Sequence, residues 1–209
     1  MGIPIEVPGL DAIIPEVPDG HVIILESGAD PAKNFFVRRL VLTALGRGKN
    51  VAFVWSRDRA DLLERLKAEG GDGRLTSGRL DIFEADTIKS LNEYGQWGGL
   101  LAVDSFSLLT LDSDAVQLAG MLRSLRAICR EKKTTVVLGT DRGMLEPRSE
   151  AVTSHLADGV LQFHAQEAPE GLARFLRIPK WVDGRFMDRN IHYDFDGRRM
   201  AIDLRRRVL

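Results

Sequence analysis

Cysteine is nearly absent from this sequence. Cys129 is the single one in 209 residues, so no intramolecular disulfide can form, and a reducing, cytoplasmic setting is expected. No stretch approaches the roughly 18 apolar residues of a membrane span, which argues against a membrane protein. The opening MGIPIEVPGLDA lacks the basic head and apolar run of a secretory signal. Charge of one sign is missing too: 29 Lys and Arg against 30 Asp and Glu leave a net −1, so no global field draws the chain to nucleic acid or an anionic membrane. His21, His155, His164 and His192 have no metal-ligand spacing and no cysteine cluster to complete a site. Ser105 and Ser107 sit outside any G-x-S-x-G nucleophile elbow, so a hydrolase triad is not expected. Repeats and low-complexity tracts are absent.

What is present is a core. A 44% hydrophobic content over this length supports one domain, residues 1–209. Residues 1–20 are rich in Pro and Gly and read as an irregular lead-in with a helical turn near Leu10–Ile14. Apolar strands are expected at 21–26, 50–55, 79–83, 100–104 and 134–139. Between them fall amphipathic helices: one from Lys33 to Gly46, one at 58–69, a weak one at 87–94, and a long one to about Lys132 capped by Asp112 or Ser113. The long helix offers Val116, Ala119, Leu122, Leu125 and Cys129 as its buried side, and GGDGR at 70–74 reads as a turn. Strands without alternation, separated by helices, indicate a parallel sheet covered on both faces. After Pro147 the pattern changes to a short helix at 149–156 and four strand-like segments at 159–164, 173–179, 190–195 and 199–204. These predict an antiparallel extension of the sheet.

Two stretches carry chemistry. In HVIILESGADPAKNFF (21–36) a buried strand runs through Ser27-Gly28 into a helix, the layout of a phosphate-binding P-loop. The complete motif is G-x-x-x-x-G-K-[ST]. Here Gly28 leads through Asp30 to Ala32, Lys33 and Asn34, so the loop is one residue short, its second glycine is alanine, and the final hydroxyl is an amide. In LLAVDS (100–105), Asp104 stands at the carboxyl end of a buried strand, where ligands of open α/β sheets bind and where a carboxylate can hold Mg²⁺-bound water.

In this order the residues resemble the KaiC-like branch of the RecA superfamily, the ATPases related to archaeal RadA paralogues, and the likeness runs nearly end to end. PGLD (8–11) is similar to the family's I-P-G-L-D, and Pro18-Asp19-Gly20 to its P-x-G. ESGADPAKN stands where S-G-P-P-G-T-G-K-T is expected, and LLAVDSFSLL is similar to the Walker B segment. VVLGTD (136–141) brings Thr140 to the polar strand-end position, and the run from His155 to Val160 resembles x-x-h-x-D-G-V. Lys180 and Arg185 resemble a basic pair that reaches a neighbouring subunit's nucleotide in ring assemblies.

The resemblance implies a RecA-like three-layer α/β fold. It also implies ATP with Mg²⁺ as ligand: Gly28, Asp30, Ala32, Lys33, Asn34, Asp104 and Thr140 around the nucleotide, with Asn34 and Asp104 toward the metal. The departures concern catalysis. The family's water-polarising glutamates fall on Arg57, whose guanidinium stays protonated, and on Asp58, which is one methylene shorter. A regulatory or interaction protein with weak or absent hydrolysis is the leading expectation, working as a homo-oligomer or with a protein partner. An active ATPase with a variant loop and a DNA recombination or repair accessory factor are the alternatives. The arginines at 198, 199 and 205–207 form a local basic cluster, read foremost as solvated strand edge and terminus.

Overall fold

The computed structural model describes residues 2–28, 30–76, 78–84, 91, 98–169, 171–184 and 187–203. The weak helix expected at 87–94, except for the helical and buried Leu91, lies outside the described residues, as do Arg185 and the tail arginines 205–207.

Continuous apolar runs form the central strands because both of their faces are buried. They are β3 (Val22–Ser27), β4 (Val51–Trp55), β6 (Gly99–Val103) and β7 (Thr134–Asp141). Neighbouring residues divide between two cores. Ile23, Leu25, Phe53, Leu100 and Val137 enter one, while Val22, Ile24, Val54, Leu101 and Val136 enter the other. With β5 (Leu80–Glu84), β8 (Gly159–Ala168), β9 (Gly171–Lys180), β10 (Met187–Phe195) and β11 (Met200–Ile202), they build a nine-stranded sheet. Its order is β11-β10-β9-β8-β3-β7-β6-β4-β5. Pairing is parallel from β8 to β5 and antiparallel from β8 outward to β11, as the sequence predicts.

Helix α1 (Ala32–Gly46) lies on the first core, with α2 (Arg59–Ala68) and the short α3 (Asp72–Leu75) beside it. That short helix replaces the turn expected at 70–74. Twelve of the fifteen α1 residues are buried because the N-terminal arm packs on its outer side. The arm carries a two-stranded sheet, β1 (Ile3–Pro4) with β2 (Glu16–Val17), which the Pro and Gly content hides from sequence reading. Its side chains Ile3, Ile5, Val7, Leu10, Ile14 and Val17 are all buried.

The second core lies under α4 (Phe106–Leu109), α5 (Ala115–Lys132) and α6 (Pro147–Leu156). The cap of α5 is Asp114, one or two residues later than expected, because only Asp114 completes a capping box with Gln117. Val116 is 73% exposed rather than buried; the inward stripe is Leu118, Met121, Leu122, Leu125 and Cys129. Asp158 explains its own motif structurally. Its carboxylate accepts from the Val22 amide (3.0 Å) and from Arg126 (2.6 Å), pinning the start of β3 to α5. Gly159 follows because a Cβ there would come within 2.9 Å of Ile23 and 3.0 Å of Trp181.

Candidate functional site

The carboxyl ends of β3, β7, β6 and β4 lie side by side, the place where open α/β sheets bind ligands. Ser27 pairs with Asp141 at the ends of β3 and β7, and the Arg142 amide donates to the Ser27 carbonyl at 2.7 Å. Asp104 follows β6 and its amide donates to the Val54 carbonyl of β4 at 3.1 Å. Gly139 permits this closeness: a Cβ there would lie 2.2 Å from the Asp104 carbonyl oxygen.

Lys33 sits in the first turn of α1, and its side chain is 2% exposed. Its Nζ donates to Asp141 Oδ1 at 2.5 Å and to the Thr140 carbonyl at 3.2 Å. Asp141 is held in turn by the Ser105 hydroxyl on Oδ2 (3.0 Å), and its amide donates to Ser107 Oγ (3.0 Å). The lysine expected to meet phosphate is therefore paired with a carboxylate of its own chain. Thr140 takes part through its backbone. Asp141 was not singled out by the sequence reading; the signal was there, an acid at the end of the strand beside β3.

Asp30 makes a second internal contact. Pro31 occupies the N-cap of α1 with no side-chain bond, and Asp30 Oδ1 instead accepts from the Ala32 amide at 2.9 Å. Its Oδ2 accepts from the Tyr193 hydroxyl at 2.8 Å and faces Arg174 Nε at 3.5 Å. Burial beside Asp30 pushes the Tyr193 phenol far above its usual range, so it remains a donor. These two partners come from β10 and β9, distant in sequence, and no local signal announced them. A Cβ on Gly28 would meet nothing within 4 Å, so the loop does not depend on this glycine for space. Ala32 is fully buried.

Asp104 is 3% exposed; its Oδ2 accepts from Ser56 Oγ at 3.0 Å and its Oδ1 has no partner among the described residues. Burial raises its pKa above the usual carboxylate range, while the Ser56 bond and the charges of Lys33 and Arg57 pull it back. Asn34 Oδ1 is a second buried oxygen without a partner among the described residues. Two such oxygens suit Mg²⁺, which prefers oxygen donors and retains water. Among the described residues no three His, Cys, Asp or Glu side chains gather into a metal site, so Mg²⁺ here would need phosphate oxygens as well.

The remaining sequence candidates are placed elsewhere. Asp58 caps α2, its Oδ1 accepting from the Ala60 amide at 3.1 Å, and its carbonyl accepts from Trp55 Nε1 at 3.1 Å. Arg57 lies 5.9 Å from the centre of the Trp55 ring. Lys180 Nζ donates to the His155 and Ala157 carbonyls at 2.9 and 2.6 Å, closing the C-terminus of α6 within the chain.

Residues 17–209 match the sequence model of DUF7125, a family of unknown function. The chain belongs to the DUF7125 family. No curated protein matches this DUF7125 member in sequence. Solved structures do match in shape. A KaiC-like protein from the hyperthermophilic archaeon Pyrococcus horikoshii OT3 superposes with a TM-score of 0.78 at 20% identity, over 97% of this chain and 99% of that one. The flagellar accessory protein FlaH from Methanocaldococcus jannaschii gives 0.82 at 17% identity, over 97% and 98%. This DUF7125 chain thus has the KaiC-like, RecA-like α/β fold. No helix among its described residues is long and apolar enough to cross a membrane.

Proposed function

We propose that this protein keeps the KaiC-like fold but has turned its nucleotide site inward, acting as a regulatory or interaction protein with weak or absent ATP hydrolysis. The Lys33–Asp141 ion pair carries this reading. A lysine awaiting phosphate holds its charge for the ligand; this one is already neutralised in a buried setting. Asp30 supports it by taking the Ala32 amide at the helix start, where a phosphate oxygen would be received. Together Asp30, Asp104 and Asp141 add negative charge where a triphosphate would bring more. Asp58 is committed to capping α2 and Arg57 cannot accept a proton, which leaves no base in the expected place. One neighbour in shape is named an accessory protein, a role of the same kind.

A second reading has its own observation. Asn34 Oδ1 and Asp104 Oδ1 are buried and have no partner among the described residues, as oxygens that await Mg²⁺ with nucleotide would be. That reading is an active ATPase with a variant loop, in which triphosphate displaces Asp141 from Lys33. Calorimetric titration of ATP and ADP with Mg²⁺, followed by a turnover assay on the same sample, separates the two. Our reading expects no saturation at micromolar nucleotide and no turnover, with binding strengthened in Asp141→Asn. Micromolar binding with turnover lost in Lys33→Ala would replace it with the second reading.

A further inference from the structure

The large apolar side chains left outside the two cores are not scattered evenly. Among the described residues five are exposed, and three of them, Leu108, Leu111 and Val116, fall in one short stretch where α4 turns into α5. They are 45%, 50% and 73% exposed. A lone exposed leucine is ordinary, but a group of them beside a cleft marks a surface that meets something.

The cleft is there. It holds about 530 Å³ at the carboxyl ends of β4 and β5, and Leu108 and Leu109 of α4 line it together with Arg57, Asp58, Glu84 and Asp112. Ser56 lines it too, and its hydroxyl donates to Asp104 Oδ2 at 3.0 Å, so the cleft borders the candidate site. Three carboxylates against one guanidinium make this lining acidic, and Asp114 adds to it at the start of α5. Glu84 and Asp112 are exposed and form no ion pair among the described residues, which leaves their charge for a partner. The whole chain carries only −1, so the local sign is a property of this surface.

The backbone of the α4–α5 turn is satisfied from within. The Thr110 amide donates to the Ser107 carbonyl at 3.2 Å, the Ser113 amide to the Thr110 carbonyl at 2.9 Å, and the Leu118 amide to the Asp114 carbonyl at 3.0 Å. The turn therefore offers a partner side chains and not free backbone groups. That suits a helix, whose own backbone is already bonded, and does not suit an added strand.

We propose that this surface docks a basic amphipathic helix of another protein, its apolar ridge on Leu108, Leu111 and Val116 and its lysines or arginines against Asp58, Glu84 and Asp112. The proposal rests on the interaction role argued above and names the chemistry of the partner. Apolar contact supplies affinity, while the carboxylates select the sign of the partner and speed encounter. The surface is also close to the site in bonding terms. The Leu108 amide donates to the Ser105 hydroxyl at 3.4 Å, and that hydroxyl donates to Asp141 Oδ2, the carboxylate that pairs with Lys33.

The test is fluorescence anisotropy of the full chain against a labelled peptide of about 18 residues, with leucines on one helical face and lysines on the other. Nucleotide is left out, so the outcome does not depend on whether ATP binds or is hydrolysed. Saturable binding at micromolar peptide is expected, weakening between about 50 and 300 mM salt. A peptide of the same leucine pattern with glutamate for lysine should not bind. Leu108→Ser with Leu111→Ser should weaken binding about tenfold at every salt concentration, and Glu84→Gln with Asp112→Asn about fivefold at low salt only. Leu172→Ser removes an exposed leucine of β9 and should leave binding unchanged. All of these positions are exposed, and circular dichroism melting checks that the fold persists. No saturable binding overturns the proposal, as does equal binding of the glutamate peptide or an equal loss in Leu172→Ser and in the double leucine variant. Sedimentation showing a dimer that Leu111→Ser dissolves would assign the face to a second copy of the chain and overturn it too.

Discussion

A buried ammonium has to be neutralised, and among the described residues Asp141 is the carboxylate that forms an ion pair with Lys33. The two partners are unequal, since the side chain of Asp141 is 29% exposed and that of Lys33 is 2% exposed. Asp141→Asn strands the buried cation and should cost about 3 kcal/mol in urea unfolding. Lys33→Met should cost less, because the thioether fills similar space and Asp141 can turn to water. Equal losses would show that Lys33 escapes to solvent when unpaired. Asp104 gives a test by pH. Its folded pKa is raised by burial, so the folded chain binds this proton more tightly than the unfolded chain. The contribution is fully present below about pH 4 and is lost as pH rises through the folded value. Asp104→Asn should therefore be more stable than the parent at pH 7, with the difference closing toward about pH 4. A difference constant across that range would place the cause outside Asp104 ionisation.

Among the elements, α5 shows how far local sequence reaches. Its existence and length were readable from a four-turn apolar pattern, but its inward face was set by docking on β3 and β7, which left Val116 outside. Its start depends on a reciprocal bond that Asp112 and Ser113 do not make. Asp114→Ala should lower stability by about 1 kcal/mol, while Asp112→Ala should change little, as measured by denaturant midpoint. The P-loop segment was legible in the same partial way. Strand, turn, helix and lysine were all visible, but the contacts of Asp30 with Tyr193 and of Lys33 with Asp141 span 163 and 108 residues. No local pattern encodes a partner so far away.

For the molecule as a whole, the first core joins the N-terminal arm, α1, the parallel strands and the antiparallel extension. The arm contributes Ile3, Ile5, Val7, Leu10, Ile14 and Val17, each worth about 1.5–3 kcal/mol when buried, so a chain beginning at Asp19 should fail to fold. Soluble expression with a cooperative melt of that shortened chain would contradict this. The second core holds a reporter. Cys129 is fully buried and its thiol is pushed up to about 12 by burial, so it should react with a thiol reagent only on unfolding. Labelling in rising urea should track the loss of circular dichroism; labelling well before it would reveal local opening around α5.

Sequence by itself determined the fold class, the order of the sheet strands and of the helices α1, α2, α5 and α6, and the presence of a loop with a lysine at its helix. Each of these rests on periodicity and on residues close together in the chain, where propensity and burial act on the same few positions. Tertiary structure alone decided what the site is made of. Strands β3 and β7 are neighbours in space though more than a hundred residues apart in sequence, and their pairing brings Asp141 to Lys33. The extension folds back to bring Tyr193 and Arg174 to Asp30 and to align His164, Phe175 and His192 across three strands. Charge pairing and ring stacking act over a few ångströms, so they are fixed by which strands lie side by side, and that is settled only when the whole sheet closes over its cores.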